Sequence, residues 1–101
     1  MYTLVYQYEI PKEKGIDYVN LEKQAMKVYL ELGCLKVELY RDVRDPRRWM
    51  EVNKFEDSDQ YGEASSAIRE DPRIVELRNS FTGLLRSDNY KPARRIYYQM
   101  L

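Results

Sequence analysis

Residues 33–57 read GCLKVELYRDVRDPRRWMEVNKFED, and this stretch decides the fold. Apolar and polar residues alternate through residues 34–42 and again through residues 48–56. A period of two with aromatic and β-branched residues is typical of β-strands. Between the two runs, residues 43–46 have the composition of a turn, with Asp before Pro. The stretch therefore predicts a hairpin of two antiparallel strands.

The register of this hairpin determines which side chains share a face. A hairpin centred near residues 44–45 would place Tyr40 opposite Trp49 and Glu38 opposite Glu51. One face of the hairpin is then purely apolar, and we expect it to lie against helices; it carries Leu35, Val37, Leu39, Met50 and Val52. A slip of one residue would exchange the two faces of a strand, so every later prediction about a site depends on this register.

The rest of the chain supplies two further strands and two helical regions. Alternation predicts strands over residues 2–10 and 94–101, and three-and-four spacing of apolar residues predicts a helix over residues 14–32. Gly33 follows that helix and suits a left-handed C-terminal cap. A second helical stretch begins after Asp57 or Ser58 and runs to about residue 85, with a break at Glu70–Pro72, and residues 86–93 form a polar loop.

This order, βαββαβ, predicts one α+β domain over residues 1–101 with a ferredoxin-like fold. Its four-stranded antiparallel sheet would carry two helices on one face.

Composition excludes several classes of function. The 101 residues include 17 basic and 17 acidic side chains, and this neutral balance argues against a nucleic-acid surface. Histidine is absent, so catalysis through imidazole is excluded, and no metal site or cofactor is expected. Cys34 is the sole cysteine and no apolar run approaches a membrane span, so we expect a cytoplasmic protein without membrane contact.

The sheet face that two helices leave uncovered is predicted to be apolar enough to need a partner. Leaving its larger aromatic side chains in water would forfeit about 1.5–3 kcal/mol each. The economical answers are a second subunit, a ligand, or both, because two sheets face to face enclose a barrel with a cavity. We therefore expect a homodimeric α+β barrel whose helix-free face carries Val5, Gln7, Glu38, Tyr40, Trp49, Glu51, Asn53, Phe55 and Tyr97.

The hairpin resembles the antibiotic biosynthesis monooxygenase family of dimeric α+β barrels. The resemblance rests on Gly33 and the LYRD run at residues 39–42, on Asp45-Pro46, and on a strand in which Glu51 precedes the aromatic Phe55 by four residues. Two features depart from the family pattern: the histidine that many relatives carry early in the second long helix is missing, and residue 55 is Phe where Trp is common.

The resemblance implies a cofactor-independent monooxygenase or an isomerase acting on a small aromatic or enol-like molecule. Glu51, Asn53 and Tyr40 would place the substrate and move a proton. The ligand would be held by Gln7, Glu38, Trp49, Phe55 and Tyr97. The alternatives are a non-catalytic ligand-binding or sensory module and a purely structural dimer. An RNA-binding sheet is a further alternative, which the acidic residues on the helix-free face disfavour.

Single features also have more than one interpretation. Glu38 and Glu51 could form a carboxylate pair, or they could be neutralised by Lys36, Arg94 or Arg95 as sheet-face ion pairs. Arginines cluster at the hairpin tip, where they could bind an anion or form a solvated loop with the aspartates beside them; they are Arg41, Arg44, Arg47 and Arg48. Cys34 could be a nucleophile, but a buried core residue is the simpler interpretation.

Overall fold

The computed structural model describes residues 1–85 and 93–101, and it confirms the predicted order of elements. A short 3₁₀ turn over Lys12–Lys14 leads into the first helix. The strands and helices are β1 (Tyr2–Glu9), α1 (Gly15–Glu31), β2 (Lys36–Arg41), β3 (Arg48–Phe55), α2 (Ser58–Glu70), α3 (Pro72–Leu85) and β4 (Ala93–Tyr98). The strands form one antiparallel sheet in the order β2-β3-β1-β4, which is the ferredoxin-like arrangement. The predicted polar loop lies outside the described residues, apart from Ala93.

Gly33 ends α1 in the left-handed conformation that the sequence predicts. Its φ is +116°, and the N–H of Cys34 donates to the carbonyl of Tyr29 at 2.9 Å, as in a Schellman cap. The side chain of Gln60 donates to the carbonyl of Gly33 and so connects this cap to α2. A Cβ at Gly33 would lie 2.7 Å from the Gln60 Nε2 atom.

Gly33→Ala should therefore lower the free energy of unfolding by about 1–2 kcal/mol, because alanine is strained in the left-handed region. Gly62→Ala is the matched control. Gly62 lies in α2 with nothing within 4 Å of the added Cβ, and alanine there should stabilise the protein by about 0.5–1 kcal/mol. Urea unfolding of both variants checks the pair. Equal effects of the two substitutions would contradict the assignment of Gly33 as the cap.

The second helical region begins and breaks where the sequence predicts. Asp57 caps α2 by accepting a hydrogen bond from the Gln60 N–H at 2.8 Å. Asp71 then separates α2 from α3, with extended backbone and its carboxylate accepting from the Arg73 N–H at 2.9 Å. Pro72 occupies the first position of α3, where the missing N–H is not needed.

The hairpin register differs from the prediction by one residue. Tyr40 pairs with Met50, and Leu39 rather than Glu38 pairs with Glu51. The hydrogen-bonded loop is centred on Asp45, because the Asp42 N–H donates to the Arg48 carbonyl. The Asp42 carboxylate accepts from the backbone N–H groups of Arg44 and Asp45 within the loop, which accounts for the extra residue.

This shift inverts β3, so the predicted faces were wrong for that strand alone. The residues of β3 that lie beneath the helices are Trp49, Glu51, Asn53 and Phe55. Trp49 is 8 % exposed and packs edge-on against Tyr18 of α1, with ring centroids 5.1 Å apart. Met50 and Val52 share the helix-free face instead, beside Gln7 and Tyr40. The residues predicted on that face from β1, β2 and β4 do lie there: Val5, Gln7, Glu38, Tyr40 and Tyr97.

The helix-free face is consequently less aromatic than the sequence led us to expect. Tyr40 and Tyr97 are about half exposed on it, at 46 % and 48 %. Glu38 lies 3.9 Å from Lys36 and 3.8 Å from Lys54, and its carboxylate accepts a hydrogen bond from the Tyr40 hydroxyl at 2.5 Å. This face therefore combines ion pairs with half-exposed tyrosines around an aliphatic centre.

Candidate functional site

A cavity of about 400 Å³ lies between the sheet and the helices. Its floor comes from β1, β3 and β4, and its walls come from all three helices. Apolar and aromatic side chains make up much of the lining, among them Ala25, Phe55, Ile68, Ile74, Leu77 and Phe81. Size and lining are those of a small-molecule site, which needs a mostly apolar surface with a few polar groups.

Two buried glutamates face each other inside this cavity. Glu22 comes from α1 and Glu51 from β3, and they are 9 % and 6 % exposed. Burial raises the pKa of Glu22 well above its ordinary value, and a side-chain hydrogen bond with Glu51 and the negative charge of Glu51 raise it further. Burial and the nearby carboxylate therefore favour the protonated form of Glu22.

Asn53, two residues after Glu51 on β3, adds an amide to the two buried carboxyl groups. Its amide Nδ2 donates to Glu51 Oε2 at 3.0 Å, which leaves the amide oxygen pointing elsewhere. That oxygen, Asn53 Oδ1, and Glu22 Oε2 are buried and have no hydrogen-bond partner among the described residues. Buried polar atoms are nearly always paired, so two such atoms beside one cavity indicate a place where a ligand donates.

The hydroxyls of Tyr6 and Tyr29 also belong to the polar part of the lining. Burial raises the pKa of Tyr6 to about 12, with contributions from Tyr61 and Glu51, while Arg94 opposes the rise through its charge and a hydrogen bond. Burial also raises the pKa of Tyr29, and the charges of Glu51 and Glu22 add to that effect. Both hydroxyls therefore stay protonated at neutral pH and can donate hydrogen bonds.

The raised pKa of Glu22 predicts a pH-dependent stability. Between the unfolded-state value of about 4.3 and its higher folded-state value, the folded protein binds the Glu22 proton and the unfolded chain does not. The contribution of Glu22 to the free energy of unfolding is therefore fully present below the pKa of the unfolded state. It is lost as pH rises through the pKa of the folded state.

Glu22→Gln removes this loss, since glutamine cannot ionise. The variant should be more stable than the wild type at pH 8, because the raised pKa of Glu22 makes its ionisation in the folded protein unfavourable. The difference should close toward pH 4. Urea unfolding across this range measures it, and Glu63→Gln on the exposed side of α2 controls for the loss of one negative charge. A difference that is the same at every pH would contradict a buried protonated Glu22.

The structure brings three of the eight predicted site residues into this cavity: Glu51, Asn53 and Phe55. Tyr40, which was predicted to act beside Glu51, lies on the opposite side of the sheet. The predicted carboxylate pair of Glu38 and Glu51 is separated in the same way, and Glu38 forms the alternative ion pairs with lysines. Trp49 lies beneath α1 and borders a second hollow, which also contacts Gln7. Tyr97 lies on the helix-free face.

Other predicted features have a structural explanation. Arg47 forms an ion pair with Asp45 at 3.4 Å in the hairpin loop, in line with a solvated arginine cluster. Cys34 is buried, donates weakly to the carbonyls of Lys36 and Lys54, and has a pKa raised by burial. Its thiol is therefore poorly suited to act as a nucleophile.

Sequence reasoning missed Glu22, Arg69 and Arg78, and it named Arg94 only as a possible ion-pair partner of Glu38 and Glu51. Glu22 lies four residues after Tyr18 and three before Ala25, so it occupies the apolar stripe of α1. A lone carboxylate on a buried stripe was the signal that could have located the site.

In residues 1–85 and 93–101, no group of three or more potential ligand side chains is placed to hold a metal ion. Within the same residues, no helix has the length and apolarity required to cross a bilayer.

Sequence comparison identifies the family. The sequence pattern described as antibiotic biosynthesis monooxygenase matches residues 1–67, about two-thirds of the chain. The chain belongs to this family. The antibiotic biosynthesis monooxygenase match includes β1, α1, the hairpin and most of α2, and hence Glu22, Glu51 and Asn53. Among curated proteins, none matches the chain.

Solved structures of low sequence identity share the whole fold of this antibiotic biosynthesis monooxygenase family member. SnoaB, a cofactor-independent oxygenase from Streptomyces nogalater, superposes with a TM-score of 0.77 at 10% identity, covering 99% of this chain and 93% of SnoaB. A candidate antibiotic biosynthesis monooxygenase from Nitrosomonas europaea gives 0.77 at 13% identity, with complete coverage of both chains. A conserved protein from Methanosarcina mazei Go1 gives 0.75 at 16%, covering 95% and 89%. At these identities the likeness shows the fold alone.

Proposed function

We propose that the protein binds a small enolisable aromatic molecule in the cavity between sheet and helices and oxidises it with O₂ without a cofactor. The observation that carries the proposal is the buried pair of Glu22 and Glu51, with the unpartnered oxygen of Asn53 beside it. Family membership and the likeness to SnoaB, a cofactor-independent oxygenase, support the type of chemistry.

The pair suits a reaction that begins with removal of a proton. The Glu51 carboxylate accepts a proton from a methylene group next to a carbonyl, and the electrons of that C–H bond move into an enolate. Asn53 accepts a hydrogen bond from the enol form, and protonated Glu22 returns protons to oxygen. Oxygen takes four electrons from the methylene carbon: one oxygen atom becomes the new carbonyl and the other leaves as water with the two hydrogens.

Two probes test the proposal. 2-Naphthol, an analogue of the enol of 2-tetralone, should bind in the micromolar to millimolar range by calorimetry. 2-Tetralone in D₂O should exchange its C1 protons faster with the protein than without it, and should consume O₂. Exchange without O₂ uptake would favour an isomerase, and binding without exchange would favour a ligand-binding module. Failure of both probes to bind would contradict the assignment of the cavity as a site for such ligands.

We also propose that two copies pair through their helix-free sheet faces, as the family resemblance implies. The half-exposed Tyr40 and Tyr97 on that face support this pairing, and Gln7 and Glu38 would then lie in the interface. In such a dimer the predicted ligand contacts Gln7, Glu38 and Tyr97 would line the barrel interior, whereas Trp49 lies beneath α1. Native mass spectrometry at micromolar concentration should show two copies, and a monomer would contradict the proposal.

The buried free thiol of Cys34 fits a reducing, cytoplasmic location.

A further inference from the structure

A polar row crosses the floor of the cavity from its interior to its rim. Glu51, Tyr6 and Arg94 are directly paired across β3, β1 and β4, so their side chains project to the same side of the sheet. Neighbouring strands lie about 4.8 Å apart, which separates the backbones of Glu51 and Arg94 by roughly 10 Å. That span is comparable to the length of a two-ring aromatic molecule with a substituent at each end.

The two ends of this row differ in charge and in exposure. Glu51, with Glu22 above it, is buried. Arg94 is exposed, and two further exposed arginines, Arg78 of α3 and Arg69 of α2, also line the cavity. In the described part of the chain none of these three arginines forms an ion pair. Arg94 instead hydrogen-bonds the Tyr6 hydroxyl, a neutral group that leaves most guanidinium donors available.

We propose that the cavity selects ligands that carry a carboxylate at one end and a hydroxyl or enol at the other. The carboxylate pairs with Arg94 and Arg78 at the rim, the ring lies against Phe55, Phe81 and the aliphatic wall, and the hydroxyl donates to Asn53 in the interior. This inference rests on the proposed function and adds the charge of the ligand to it.

Charge complementarity favours an anion over a cation or a neutral ring. Guanidinium groups from three different elements line this cavity, and an ammonium group would meet their repulsion on entry. A planar carboxylate matches the fork of a guanidinium with two hydrogen bonds, which a neutral amide cannot reproduce with its single acceptor. The carboxyl pair cannot take this role, since its own charge would repel a carboxylate placed beside it.

Matched probes and matched variants test this selectivity. 6-Hydroxy-2-naphthoate and 6-hydroxy-2-naphthamide share ring and hydroxyl and differ in charge. Calorimetry on the whole protein should show the naphthoate binding at least about tenfold more tightly than the naphthamide, as expected for one charge-assisted contact. Arg94→Gln should remove most of this preference. Arg95→Gln, the neighbouring residue on the helix-free face, should keep it, and it controls for the loss of one positive charge.

The outcomes separate this inference from the proposed function. Equal binding of the two probes to the wild type would overturn the selectivity while leaving the cavity as a ligand site. Equal losses in Arg94→Gln and Arg95→Gln would overturn the role of Arg94, because general electrostatic attraction would then explain the preference. If neither probe nor 2-naphthol binds, both the proposed function and this inference fail. A preference that falls in Arg94→Gln and again in Arg78→Gln supports the rim as the carboxylate site.

Discussion

Glu51→Gln should lower the rate of C1 proton exchange of 2-tetralone by about 10²–10⁴-fold, the usual contribution of a general base. Glutamine keeps the size of the side chain, and its carbonyl can still accept the hydrogen bond from Asn53 Nδ2, so the fold should persist. What disappears is the carboxylate that accepts the proton. Oxygen consumption should fall with exchange, because the enolate forms before O₂ reacts.

Glu38→Gln is the matched control for this experiment. Glu38 lies on the opposite face of the same sheet, where it pairs with Lys36 and Lys54. Its substitution should leave proton exchange within about twofold of the wild-type rate, a difference below 1 kcal/mol in the barrier. Unchanged exchange in Glu51→Gln would remove Glu51 from the chemistry, and a loss in Glu38→Gln would move the site to the helix-free face.

Trp49→Ala should destabilise the protein by about 3–5 kcal/mol, since removing a buried large aromatic side chain leaves a cavity in the core. Trp49 packs against Tyr18, which is fully buried at 0 % exposure, and the two rings link β3 to the first turns of α1. Loss of this contact should weaken the attachment of α1, the helix that carries Glu22.

Met50→Ala is the companion substitution, because Met50 is adjacent in sequence and lies on the other face of the sheet. It should be the less destabilising of the two, by at least about 1.5 kcal/mol, since Met50 is only partly buried in the described chain. Urea unfolding at a fixed protein concentration compares them. A larger loss of unfolding free energy in Met50→Ala than in Trp49→Ala would contradict the observed register. It would favour the predicted one, in which Met50 lies in the core and Trp49 faces outward.

The local signals of the sequence predicted the elements of the fold well. Gly33, Asp57 and Asp71-Pro72 each act through the backbone of their own neighbourhood, so their effects can be read without knowledge of the packing. Alternation likewise assigned every strand, and the order of elements led to the ferredoxin-like sheet. These predictions depend on rules that apply within a few residues.

The site was harder to predict because it depends on one register. The carboxylates of Asp42 and Asp45 accept hydrogen bonds from loop N–H groups, and the resulting loop is centred on Asp45 rather than between residues 44 and 45, which shifts the strand pairing by one residue. Because of this shift, the side chains of β3 point to the face opposite to the predicted one, while those of β1 and β2 were assigned to the correct faces. Glu51 and Asn53 were thus selected as functional residues but were assigned to the wrong surface.

Glu22 shows a second limit of pattern analysis. A search for apolar residues at helical spacing passes over a carboxylate on the same stripe, although a buried acid is the rarer and more informative feature. Its partner Glu51 is 29 positions away in sequence, so only the packing of α1 on β3 could reveal the pair. Arg94 lies on β4, so only the pairing of β4 with β1 and of β1 with β3 could show that it shares a face with Glu51.

The proposed chemistry requires the ligand to lie under the helices, beside the carboxyl pair. A crystal structure of the protein with 2-naphthol tests this most directly. We expect the ring in the cavity against Phe55 and its hydroxyl within hydrogen-bonding distance of Asn53 Oδ1 or Glu51. A naphthol bound on the helix-free face beside Tyr40, with the cavity under the helices empty, would contradict the claim.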